Sequence, residues 1–193
     1  VPRDWSSDVC SSDLLDNVTE EKQTILGDAE LEPTFDYGAS MRNSGKGGSK
    51  YRNYKDAAEE IIQGCIDIAT EVGSQKIGRP ANGTSSEDIN YIESPYSQNS
   101  KTDFIDNIIS IRNTYQGMTS GDASVSDWIE VVAPVLDTEV RNAISTAIEK
   151  IEACPAPFVD NRTAQAWKDA ATYCNNDLVN ALTKALTALS VEK

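Results

Sequence analysis

Apolar residues recur along this chain at steps of three and four, the spacing of one face of an α-helix. The clearest run is Tyr54, Ala58, Ile61, Cys65, Ile68 and Val72, which predicts a core-facing helix ended by Gly73. A second helix is predicted over 101–116, with Phe104, Ile108, Ile111 and Tyr115 on its inner side. A shorter one starts near Ser124 or Ser126 and carries Trp128, Ile129 and Val132. Pro134 suits the first turn of the next, where a missing N–H is harmless, and Leu136, Val140, Ile144, Ile148 and Ile151 follow as its stripe. After the break at Cys-Pro-Ala-Pro-Phe, a last helix over 163–189 turns Trp167, Ala171, Cys174, Leu178, Leu182, Leu186 and Leu189 inward. Residues 15–26 predict a short helix, 27–49 a loop rich in glycine and serine, and Ile77 to Asp88 a second loop. No stretch alternates apolar and polar residues as a strand does. The pattern therefore predicts an all-α protein, an up-and-down helical bundle.

The front of the chain breaks this picture. Asp4 to Leu14, Asp-Trp-Ser-Ser-Asp-Val-Cys-Ser-Ser-Asp-Leu, resembles the translation of a sequencing-library adapter, codon for codon. Residues 1–14 are therefore set aside as a non-native segment before the fold is considered. Three parts are expected: 1–14, then 15–50 as short helix and loop, then 51–193 as the helical bundle.

Charge narrows the partners. The chain has 31 acidic and 17 basic residues, a net charge of −14, and no histidine. Setting aside residues 1–14 removes three acids and one base, so the chain stays strongly acidic. Such a surface argues against nucleic acid and anionic lipid as partners, and a solvated acidic exterior is its ordinary meaning. No apolar run approaches the roughly 20 residues that span a bilayer. Beyond residue 14 the cysteines are Cys65, Cys154 and Cys174, an odd number that suggests no disulfide framework. Cys154 ends one predicted helix and Cys174 lies well inside the next, about 20 Å along at 1.5 Å per residue. All three are expected as small buried apolar residues. With no imidazole, the chain by itself is expected neither to cleave peptides nor to bind zinc tightly, and serine-hydrolase chemistry lacks its base.

One stretch carries candidate chemistry: Glu-Ser-Pro-Tyr-Ser-Gln-Asn-Ser-Lys-Thr-Asp-Phe-Ile-Asp-Asn, from Glu93 to Asn107. Ser100 and Asp103 have the spacing of a capping box, which accounts for those two alone. Asp103, Asn107 and Ser110 follow at steps of four and three, a polar stripe flanked by Phe104 and Ile109. Polar groups so placed need partners, water or a ligand. Ser97, Asn99, Asp103 and Asn107 are expected to meet at the start of this helix.

Three motifs in order, Ile-Ala-Thr-Glu-Val-Gly-Ser-Gln-Lys-Ile-Gly-Arg-Pro, the Glu93–Gly117 stretch and Ala-Ile-Glu-Lys-Ile-Glu-Ala-Cys-Pro-Ala-Pro-Phe, resemble the C-terminal half of the imelysin family, from about Tyr51 onward. The resemblance implies one half of a two-bundle helical fold in the bacterial cell envelope, periplasmic or anchored as a lipoprotein. It implies metal binding linked to iron uptake, with a metallopeptidase or a purely structural helical module as alternatives. The family's Gly-x-His-x-x-Glu signature cannot be present in a chain without histidine. The missing N-terminal half of the same protein, and iron-uptake components of the envelope, are then the implied partners. A divalent metal or iron is the implied cofactor of the intact protein, and none is expected for this chain. Carried over by position, Glu93, Ser94, Ser97, Asn99, Asp103 and Asn107 are the implied ligand-binding or site-supporting residues, with Asp103 the candidate metal ligand. Glu71 and Lys76 are weaker candidates, equally accounted for as a solvated helix residue and a loop charge.

Overall fold

The computed structural model describes the backbone of residues 37–118 and 123–191, and the side chains of 38–118 and 123–190. Residues 1–14 and the short helix expected over 15–26 lie outside the described residues. The chain divides into two compact units, Val1–Ala57 and Ala58–Lys193. All regular structure among the described residues is helical.

In the first unit, helix α1 (Tyr37–Arg42) stands where a loop is expected. Six residues are too few to show a helical period in sequence. The segment after it is the turn-rich loop its glycines predict. Ser49 donates its hydroxyl to the Ser40 carbonyl at 2.6 Å, and the Lys50 N–H donates to the Ser40 hydroxyl at 2.7 Å.

In the second unit the long helices do the packing. Helix α2 (Tyr54–Glu71) continues without a break into a π-helical stretch, π1 (Val72–Gly78), and then into α3 (Arg79–Asn82). Short helix α4 (Ser86–Asn90) and a loop lead to α5 (Ser100–Gln116). Then come α6 (Val125–Val132), α7 (Pro134–Glu152) and the single-turn α8 (Phe158–Asn161). The last helix is likewise interrupted: α9 (Gln165–Tyr173), π2 (Cys174–Leu178) and α10 (Val179–Val191). Helix α7 is the hub, packing on α5, α6, α9, π2 and α10, while π1 packs on α9, π2 and α5. No helix among the described residues is long and apolar enough to cross a membrane.

Most predicted stripes are the core. Phe104, Ile108, Ile111 and Tyr115 of α5, Val140, Ile144 and Ile151 of α7, and Trp167, Cys174, Leu178, Leu182 and Leu189 of the last helix are wholly buried. Phe104, Phe158 and Trp167 meet edge to face, with ring centroids 4.7–6.0 Å apart, the arrangement that ring quadrupoles favour. The α2 stripe is shifted from the one predicted. Ile62 and Ala69 are buried where Ile61 and Ile68 are expected to be, and Tyr54 is exposed. In α2 apolar residues occupy both flanks, so spacing alone does not choose between adjacent faces.

Two expected breaks are absent. Gly73 does not end the first long helix, and the loop expected from Ile77 to Asp88 holds the end of π1, α3 and most of α4. Gly73 serves a close crossing instead. A Cβ there would stand 2.8 Å from the Ala171 carbonyl oxygen and 2.9 Å from the Asn175 nitrogen. Gly73→Ala is expected to cost about 1–3 kcal/mol through this overpacking, read as a lower urea midpoint with an unchanged m-value. A midpoint equal to the parent's would mean that the two helices do not approach so closely.

Helix starts follow local chemistry. At α6, Ser124 and Asp127 form a capping box in which each side chain bonds the other residue's N–H. Pro134 opens α7. At α5 the expected Ser100 box does not form: Asn99 holds the cap position, makes no side-chain cap bond, and Ser100 lies inside the helix. Gly117, with φ of 81°, ends α5 in a conformation that only glycine adopts freely.

Candidate functional site

The loop between α4 and α5 and the first turns of α5 carry most of the candidate residues. Ser94 (φ 51°) and Gln98 (φ 58°) hold left-handed backbone conformations without being glycine. Such residues persist only where their surroundings impose them, and they gather at ligand clamps and active sites. Between them Tyr96 is fully exposed.

Two bonds fix the start of this loop. Lys76, on π1, places its Nζ 3.0 and 3.2 Å from the two carboxylate oxygens of Glu93. Ser100 donates its hydroxyl to the Glu93 backbone carbonyl at 2.5 Å. At the helix start Asn99 donates its amide to Asp103 Oδ1 at 3.0 Å. The other oxygen, Asp103 Oδ2, is shut off from solvent and has no hydrogen-bond partner among the described residues. A buried carboxylate oxygen left bare is costly, so the position calls for a donor or a cation.

The structure thus brings together Lys76 with Glu93, Ser100 with Glu93, and Asn99 with Asp103. The Ser97 hydroxyl, which is exposed, turns back to the Ser94 carbonyl at 3.3 Å. Asn107 stands half-buried one turn beyond Asp103, and its carbonyl accepts the Ser110 hydroxyl at 2.7 Å. Glu71 is exposed at the end of α2, and among the described residues no hydrogen bond or ion pair joins it to the loop.

Two arrangements were not anticipated. Lys101 reaches the end of α7, donating to the Glu152 and Cys154 carbonyls at 2.6 and 2.7 Å, where a helix dipole favours a cation. Asp137 is buried in the first turn of α7 and gathers Tyr115, Ser126 and Arg141. The Tyr115 hydroxyl donates to Oδ1 at 3.1 Å, the Ser126 hydroxyl donates to the same oxygen, and Arg141 Nε pairs with Oδ2 at 2.7 Å. Burial, and then the Asp137 charge, push the Tyr115 phenol well above its ordinary range. The signal was present in sequence: Asp137 falls three residues before Val140, on the α7 stripe.

No three His, Cys, Asp or Glu side chains gather to hold a metal ion among the described residues. The free cysteines are buried. Burial pushes the Cys65 and Cys174 thiols up to about 12 and Cys154 up to about 11. Cys154 also adds to the rise at Cys174. The donors present do not fit a metal centre by themselves: Glu93 is engaged by Lys76, and Asp103 Oδ2 is a single bare oxygen.

An all-helical bundle with a polar, conformationally constrained loop at the start of a core helix is the class of molecule defined so far. The imelysin family model, peptidase family M75, matches residues 7–191, and the chain belongs to that family. It is 28% identical over 137 residues to the iron-regulated protein A of Synechococcus elongatus, an alignment covering 69% of this chain and 38% of that protein. A crystal structure of an imelysin peptidase from Bacteroides ovatus superposes with a TM-score of 0.73 at 32% identity, covering 85% of this chain and 48% of that one. A structure described as an iron-regulated protein A precursor from Parabacteroides distasonis gives 0.71 at 26% identity, covering 83% and 48%. The chain therefore spans about half the length of these solved structures, and less of the cyanobacterial protein.

Proposed function

We propose that the chain is part of an imelysin-family protein of the bacterial cell envelope that binds a metal-containing ligand in iron acquisition. In this reading the 93–107 segment supplies one wall of the site. The observation that carries it is Asp103 Oδ2, buried and bare beside the Asn99 amide. A hard oxygen donor of this kind suits a cation, and further ligands would come from parts of a longer protein beyond this sequence. The names of the Synechococcus and Parabacteroides proteins tie those relatives to iron regulation. Binding is favoured over peptide hydrolysis because the chain has no histidine and Glu93, the acid of the loop before α5, is held by Lys76. Glu93, Ser94, Ser97, Asn99, Asp103 and Asn107 line or support the site, and Glu71 is peripheral to it.

The test uses the full-length protein. Asp103→Asn and Asn107→Leu are each expected to weaken zinc or ferrous iron binding roughly 10–100-fold in calorimetry, the usual effect of disturbing a ligand or its support. Helical content by circular dichroism is expected to stay at the parent level. Affinity unchanged in both variants would leave Asp103 and Asn107 as helix-start residues without a ligand.

A further inference from the structure

The first long helix has a register problem that its π turn solves. Its buried stripe runs Ala58, Ile62, Cys65, Ala69, Val72, at steps of four, three, four and three. Continued as an α-helix, the next inward position after Val72 is 76, which is a lysine. Past the buried Gly73, the wider turn of π1 makes the next buried side chain Ile77 instead, five beyond Val72, followed by Pro80 and Ala81. Lys76 is thereby moved off the core face. Its ammonium, with the side chain 20% exposed, meets both carboxylate oxygens of Glu93, 17 residues away. Single π turns inside α-helices are frequent at functional sites.

We infer that Lys76 is a positioning residue for the candidate loop, and that π1 is the device that aims it. The Lys76 ion pair and the Ser100 hydroxyl grip Glu93 by its side chain and by its backbone. That grip fixes the chain entering Ser94, the first of the two left-handed residues, and so the conformation from which Ser97 and Asn99 are presented. The inference deepens the ligand-site reading and depends on it for its consequence in binding. Its effect on the loop is present without ligand, so it is tested without one. The competing account is an ordinary surface ion pair, which contributes little and constrains nothing.

Backbone order parameters of the 193-residue chain, from nitrogen-15 relaxation, separate the two. The amides of Ser94 and of Tyr96 to Asn99 are expected near the rigid value of roughly 0.85 in the parent and below about 0.6 in Lys76→Met. Glu93→Gln is expected to loosen the same amides equally, and Lys76→Met/Glu93→Gln to loosen them no further than either single change. Lys76→Arg is expected to restore the parent values, and the α5 amides to stay rigid throughout. An unchanged loop in Lys76→Met overturns the inference, as do additive effects in the double variant, failure of arginine to rescue, or equal loosening of α5. If zinc or iron binding survives Asp103→Asn while Lys76→Met still frees the loop, the ligand reading falls and the positioning role stands.

Discussion

Trp167→Ala is expected to lower the stability of the bundle by about 4 kcal/mol, the usual range for deleting a wholly buried large aromatic. Trp167 is completely buried, stands edge to face with both Phe104 and Phe158, and donates its indole N–H to the Pro155 carbonyl at 3.0 Å. Alanine removes two ring contacts, leaves a cavity at the meeting of α5, α8 and α9, and strips a carbonyl of its donor. For a chain of this size each kcal/mol lowers the melting temperature by about 2–4 °C, so a drop of about 12 °C is expected in calorimetric melting. Trp167→Phe keeps one aromatic ring in the cluster but loses the N–H and part of the ring volume, so it is expected to cost less, about 2 kcal/mol. Equal losses for the two variants would show that the hydrogen bond dominates and that the ring cluster contributes little.

Asp137→Ala is expected to cost about 3 kcal/mol for a different reason, the stranding of buried donors. Asp137 is 4% exposed, and its removal leaves the Tyr115 and Ser126 hydroxyls in the core without their acceptor. The Arg141 contribution is smaller, because that side chain is 42% exposed and water replaces its partner. Asp137→Asn keeps an acceptor oxygen and is expected to cost about 1 kcal/mol. Denaturant melts of both variants check the order. In a Tyr115→Phe background the alanine change is expected to cost less, since one stranded hydroxyl is gone. Strict additivity of Tyr115→Phe and Asp137→Ala would mean that the two groups do not share a bond.

The burial of Trp167 was legible in the sequence before its partners were, whereas that of Asp137 was not read there although it falls on the α7 stripe. Trp167 opens the stripe of the last helix, and its period alone places it inward. The rings it meets come from 104 and 158, and no local pattern connects those positions. The candidate site divides in the same way. The polar run from Glu93 to Asn107 stands out because it interrupts apolar spacing. The capping box expected at Ser100 and Asp103 is a local rule, and it lost to a nonlocal bond: the Ser100 hydroxyl went to Glu93, seven residues back, and the helix began at Ser100 rather than after it. The box rule held at Ser124 and Asp127, where no such rival acceptor took the serine.

The amino-acid sequence by itself determined the helical class, the extent of α5, α6 and α7, and the inward faces of α5, α7 and the last helix. Hydrophobic period, a proline and serine caps act within a few residues of where they are written, so they are legible there. Only the tertiary structure decided the rest. Gly73 is a helix breaker by propensity, yet close packing against Ala171 and Asn175 requires its missing side chain and carries the helix past it. The π1 turn carries the buried stripe of the first long helix from Val72 to Ile77, a step that keeps Lys76 off the core and that the α-helical period does not contain. The pairing of Lys76 with Glu93 and the reach of the Tyr115 and Ser126 hydroxyls to Asp137 follow from packing between elements. Each joins positions that spacing along one helix does not relate, because burial and electrostatics act on distance in space and the sequence records only distance along the chain.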